Sequence, residues 1–344
     1  MKQSIFLALM LLFLPISVLV GVSLGSTPIP IAVVFKVLVY KFSLGTVNLG
    51  QISEADLAIV WLIRVPRVLV AAMVGGALAV AGVQMQSLFQ NHLASPDIIG
   101  TSTGGALGAV LAISSGLALR SIYYLPLCSF VGAVGAAFLV YAMATSRGRT
   151  PVSTLLLSGV ALNALLSAVT SFIVSLKWVR WEVAQEVLFW MLGGLENRTW
   201  THVKLCLPAL SIGFVVAAFY HRELDLMLLG EETAVAVGVD VEAVRRVILT
   251  VAALLTAAAV AVSGVIGFVG LVIPHIVRMV IGPRHNYLLV TSALAGAWFL
   301  VLTDLLARTL NRPEEIRIGI LTAFFGSPFF IYLLLRRRRE ISYF

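Results

Sequence analysis

Charge is what this sequence has least of. Asp, Glu, Lys and Arg make up 12% of the 344 residues, about half the roughly 25% usual in soluble domains. With 60% hydrophobic residues and a mean hydropathy of +1.02, this excludes water as the main solvent of the folded chain. Cysteine is nearly missing. Cys128 and Cys206 lie in apolar stretches with neither CxxC nor Cys/His spacing, which argues against a disulfide framework or a zinc site and leaves two small buried hydrophobes. No other metal-ligand cluster is expected. None of the five lysines follows a glycine, so a G-x-x-x-x-G-K-[ST] phosphate loop is lacking and the chain has no P-loop for ATP. An H-E-x-x-H pair is lacking too, and enzyme chemistry is not expected. The net charge of +8 does not point to nucleic acid, because the basic residues sit singly at the ends of apolar runs rather than along one face.

What is present is apolar length. A hydrocarbon core roughly 30 Å thick needs about 20 helical residues, and runs of that kind cover 5–24, 68–88, 98–119, 122–145, 152–176, 205–220, 247–262, 266–281, 288–306 and 318–335. The expectation is a single all-α, polytopic transmembrane domain over 1–344 with about ten transmembrane helices. The first run follows Lys2 and is long for a signal peptide, so it reads as a retained helix. A short amphipathic piece at 183–191 reads as interfacial. An even number of spans puts both termini on one side, and the cluster Arg336 to Arg339 marks that side as cytoplasmic. With that cluster included, the 24 Lys and Arg residues divide evenly between the two sides, which leaves an unexplained excess of arginine on the outer one.

Ala79-Val80-Ala81-Gly82-Val83 resembles Ala261-Val262-Ser263-Gly264-Val265 five spans later. An odd offset makes the two copies antiparallel, as in the inverted repeats of transporters. Gly100, Gly104 and Gly108 recur at i+4 and form a groove for close helix approach. Pro274 and His275 fall inside the eighth span, where an ionisable residue is either functional or bonded to the carbonyl the proline frees. Gln84, Gln86, Ser158 and Asn163 are candidate polar linings of a path, or helix-to-helix hydrogen bonds. The segment 225–241 is too polar to span. It carries Glu231, Glu232 and Asp240 among apolar residues, and an acidic amphipathic segment suits a protein partner better than an anionic leaflet.

Several stretches resemble the FecCD-type permeases, the ABC importers for ferric siderophores, haem and cobalamin. They are Arg64-Val65-Pro66-Arg67, Asn91-His92-Leu93-Ala94-Ser95-Pro96-Asp97-Ile98-Ile99-Gly100, Leu155-Leu156-Leu157-Ser158-Gly159, Leu229-Gly230-Glu231-Glu232-Thr233-Ala234 with Gly238, Gly267-Phe268-Val269-Gly270 through Pro274-His275, and Pro313-Glu314-Glu315 with Gly326-Ser327-Pro328. The resemblance implies a homodimer or pseudo-dimer in the bacterial inner membrane, with lipid around it and the path on the two-fold axis. It also implies two cytoplasmic ATPase subunits that hold ATP and Mg, no cofactor in this chain, and a periplasmic substrate-binding protein. By the same resemblance Leu229, Gly230, Glu231, Glu232, Thr233, Ala234 and Gly238 meet the ATPase, Arg64, Arg67 and Arg308 dock the binding protein, and Val152 and Ser153 belong to the cytoplasmic gate. His92 and Arg317 depart from the family, which usually has proline at the first position and proline or a small apolar residue at the second. The wording around Ala94 to Gly100 leans toward siderophore members, with haem or cobalamin as alternatives. The rival of another class is an ion-coupled secondary transporter, which would need an intramembrane carboxylate; Asp304, four residues before Arg308, is its candidate.

Overall fold

The computed structural model describes residues 2–25, 27–43, 52–176 and 181–341. Lipid offers no hydrogen bonds, so apolar runs of this length close their amides within helices. The helices are α1 (Lys2–Ser23), α2 (Ile31–Phe42), α3 (Glu54–Ala58), α4 (Val65–Leu88), α5 (Thr101–Ser114), α6 (Leu117–Arg120), α7 (Tyr124–Ala144), α8 (Val152–Ser175), α9 (Trp181–Met191), α10 (Trp200–Phe219), α11 (His221–Met227), α12 (Glu231–Ala236), α13 (Val241–Ser263), α14 (Val269–Ile281), α15 (His285–Thr309) and α16 (Ile318–Ile341). Among the described residues the β-type pairing is one bridge, Ser146 to Arg149.

All ten expected spans are helical. Seven are long and apolar enough to cross a membrane: α1, the rod Glu54–Leu88, α7, α8, α10, α13 and α15. The other three are shorter apolar helices, Thr101–Ser114, Val269–Ile281 and Ile318–Leu333. The second span starts earlier than expected because α3 runs through a π-helical stretch, Ile59–Arg64, straight into α4. α10 starts earlier as well, where the Thr199 N–H donates to His202 Nδ1 at 3.2 Å and closes the first turn. α2 was not expected. Lys36 and Lys41 interrupt it, and 12 residues at about 1.5 Å each are too short to span. The side chains of Lys2 and of Arg336 to Arg339, on which the sequence reading of sidedness leaned, lie outside the described residues.

Helix packing rests on glycine. A methyl group on Gly75 would enter the Gly296 carbonyl, one on Gly82 the Gly270 carbonyl, and one on Gly104 the Gly132 carbonyl. The α4–α15, α4–α14 and α5–α7 contacts are therefore backbone on backbone. Gly104 and Gly108 form the expected groove against α7. Gly100 does something else: at φ 84° it makes the left-handed corner between the 3-10 turn Pro96–Ile99 and α5.

The ends of the bundle can be told apart by their contacts. At one end the Gln3 side chain donates to the Ile281 carbonyl and Ser87 meets His285; α11 and α12 lie there, and α16 runs toward it. At the other end Arg64 meets the carbonyls of Val22 and Ser23. The short helices α5 and α14 both start in the interior, where Gly270 packs on Pro96 and on the Leu78 carbonyl. They run from there toward opposite ends, which is the inverted arrangement. The two five-residue copies do not carry it: Ala79 to Val83 lie within α4, whereas Gly264 ends α13 at φ 69°.

Candidate functional site

The acidic segment folds as α11, a glycine turn and α12. Gly230 at φ 108° and Gly238 at φ 93° bracket α12, and the Asp240 side chain accepts from the Ala243 N–H at 3.0 Å to start α13. Ala234 packs inward, while Leu229, Val235 and Val237 are 66%, 60% and 60% exposed. Glu232 and Thr233 are exposed beside them. Burying one such aliphatic side chain is worth about 1.5–3 kcal/mol, so three clustered on a polar turn mark a surface that awaits cover.

Glu231 has a second task. It pairs with Arg245, whose guanidinium also lies 2.6 Å from Glu242 and donates to the Thr150 carbonyl at 3.0 Å. The Thr150 N–H in turn donates to Glu242 at 3.2 Å. Two residues beyond Thr150, α8 begins with Val152 and Ser153, so the expected gate residues are tied by charge-assisted bonds to the segment expected to meet a partner. Arg245, Glu242 and Thr150 were missed from sequence. The i,i+3 spacing of Glu242 and Arg245 was a signal; the contact with Thr150 left none.

A second tie runs from α11. His285 donates through Nδ1 to Asp225 at 2.7 Å and through its backbone N–H to the same oxygen at 2.9 Å. With that proton on Nδ1, Nε2 accepts from the Ser87 hydroxyl at 2.5 Å. Burial pushes the Asp225 carboxyl up, and the bonds from His285 outweigh it and hold the group below its usual range. This is a Ser-His-Asp order, but Ser87 and His285 are fully buried, so no substrate reaches the hydroxyl and the chain of bonds joins α4, α11 and α15. Gly100-Thr101-Ser102-Thr103-Gly104 also spells G-x-S-x-G; its Ser102 is buried and donates to Asp97, an anchor rather than a nucleophile.

The expected path residues are not brought together. Gln84 and Gln86 are buried within α4 contacts, and Gln86 donates to the Leu271 carbonyl at 3.0 Å. Asn163 donates to the Asp97 carbonyl at 3.1 Å and receives the Thr103 hydroxyl, which sets α8 against the turn before α5; Ser158 is buried on the same helix. His275 lies with its ring 6.1 Å from that of His92 and 6.4 Å from that of Phe329.

At the far end the arginines differ from expectation. Arg64, Arg67 and Arg308 are only 4%, 7% and 6% exposed. Arg67 lies 2.8 Å from Asp304 and 2.6 Å from Glu315, and Arg308 is 3.0 Å from Asp304 while donating to the Gly21 carbonyl at 2.9 Å. Arg64 spends its donors on the carbonyls of Val22, Ser23 and Thr27. Charges committed in this way join α1, α4 and α15 and are not free to dock a partner.

A family model for the FecCD transport family matches residues 11–336. The chain belongs to the FecCD transport family. Among its relatives are the cobalamin import system permease BtuC of Halobacterium salinarum, 46% identical over 84% of this chain and 76% of that protein, and the Fe(3+)-citrate import system permease YfmD of Bacillus subtilis, 40% identical over 87% and 90%. The hemin transport system permease HmuU of Yersinia pestis is 37% identical over 89% and 95%. A solved metal-chelate type ABC transporter in an inward-facing conformation superposes with a TM-score of 0.82 at 30% identity, covering 96% of this chain and 98% of that one. Like these FecCD relatives, the chain is a multi-pass membrane permease.

Proposed function

We propose that this FecCD protein is the permease subunit of an ABC importer that carries a metal chelate of the siderophore, haem or cobalamin kind across the inner membrane. Two copies would flank the path. Two ATPase subunits, which hold ATP and Mg, would sit on the α11–α12 end with both termini, and a substrate-binding protein would approach the Arg67 end. The observation that carries the reading is the bonded line Glu231–Arg245–Glu242–Thr150, which leads from an apolar surface suited to a partner directly to the start of α8. A push on α12 is transmitted to the 145–151 loop through charge-assisted bonds rather than lost in a flexible link.

Ion coupling is poorly served by the same chain. Asp304, its candidate carboxylate, is fully buried and committed to Arg67 and Arg308, which leaves it closed to an ion in transit. Chelate uptake into proteoliposomes holding the whole complex should stop with vanadate and ignore a protonophore. Arg245→Gln should cut uptake about tenfold while ATP hydrolysis persists. Uptake that follows the proton gradient instead, or coupling unchanged in Arg245→Gln, would sink the reading.

A further inference from the structure

At the Arg67 end, a cavity of about 390 Å³ opens between α9, the turn that follows it and the start of α16. Main-chain bonds fix its floor. The Gly194 N–H donates to the Ser263 carbonyl at 2.8 Å, and the N–H groups of Ile318 and Gly319 donate to the carbonyls of Gly193 and Leu192, each at 3.1 Å. Trp190, Arg198 and Arg317 line it. Arg317 is occupied, 2.7 Å from Glu196 and 4.2 Å above the Phe189 ring.

The other two donors are not. Trp190 is 8% exposed, and its buried indole N–H has no acceptor among the described residues; neither does the buried Nε–H of Arg198. Burial and the nearby Arg67 pull the Arg198 guanidinium down to about 10, and the charge of Glu196, which is paired with Arg317, offsets them only in part. Buried donors are rarely left unmatched, and each calls for an explanation such as a missing ligand. At the exposed rim the balance reverses: Glu182 and Glu186, one turn apart on α9, line the same cavity without an ion pair among the described residues. Beneath the floor lie the Arg198 guanidinium and the Trp190 indole, whose unmatched N–H groups are closed over in this conformation, and the rim offers negative charge.

We propose that this cavity is a cargo subsite that takes one carboxylate or carbonyl oxygen of the chelate on Trp190 and Arg198, and a cationic or hydrogen-bond-donating group of the same molecule at Glu182 and Glu186. The ligand class is a dipolar, oxygen-rich metal chelate. This rests on the importer reading above and adds a place and a polarity to it.

The test is calorimetric binding to the detergent-solubilised full chain of a linear ferric trihydroxamate that ends in a primary ammonium group, alongside its N-acetylated form. The ammonium form should bind about fivefold tighter, and Glu182→Gln with Glu186→Gln should erase that preference. Trp190→Phe, which keeps the ring and removes only the N–H, and Arg198→Gln should each weaken binding about tenfold, or 1.4 kcal/mol. Wild-type affinity in both variants, or no binding to the wild type, overturns the subsite. An Asp/Glu-rich peptide that binds through Arg198 while the chelate does not would assign the cavity to a docking protein and overturn it equally. Trp190→Phe guards against misfolding, read by its size-exclusion profile. ATP-driven uptake by the wild-type complex keeps the two ideas separate: no uptake of any chelate removes the importer reading, whereas uptake with unaltered variant affinities removes only the subsite.

Discussion

Two guanidinium groups converge on the carboxylate of Asp304, and Glu315 completes the set. Removing one partner from a buried charge group typically costs about 3–5 kcal/mol, because the remaining charge is left uncompensated. Asp304→Asn should therefore lower the thermal midpoint of the purified protein by several degrees and reduce its monodisperse yield, measured by size exclusion after heating; an unchanged midpoint would mean that the arginines find other partners. The sequence made these positions conspicuous but could not say what they face. Arg67 meets its carboxylates 237 and 248 residues away, and a count of charges per side assigns them to solvent. Arg198 and Trp190 escaped notice for the same reason: an orphaned donor is a property of its surroundings, which a string of letters does not contain. That 225–241 lies outside the spans was legible, because a polar, glycine-broken stretch among apolar runs has few places to go.

At the scale of helices, apolar length made all ten spans legible, and the errors fell at their ends. The rod from Glu54 and the early start of α10 depend on where a charged or capped turn is buried, which hydropathy does not report. The i+4 glycines were read correctly as a close-packing face for two of the three positions. Gly104→Ala should test that contact against a matched control, since a methyl group there strikes the Gly132 carbonyl and Ala136, whereas one on Gly135 meets nothing within 4 Å. Overpacking costs about 1–3 kcal/mol. Gly104→Ala is expected to destabilise the protein by at least that much in a thermal assay, and Gly135→Ala to leave it unchanged. Equal midpoints would show that α5 and α7 separate at little cost.

For the whole molecule, the proposed importer reading puts the ATPase subunits against the exposed Leu229, Val235 and Val237. Val235→Asp with Val237→Asp changes two surface positions and should leave the fold intact while abolishing co-purification of the ATPase subunits, measured by pull-down from membranes. Retained assembly would move the partner surface elsewhere. The glycine contacts carry a further consequence. Where Gly75 meets Gly296 and Gly82 meets Gly270, no layer of side chains lies between the backbones to act as a lubricant, and neither rod can roll or slip past the other without a collision. The helices are keyed together like the stones of an arch, so on the proposed reading a force applied at α12 would tilt the block around α4 as one piece, and the opening and closing of a passage would fall to the seams between such blocks.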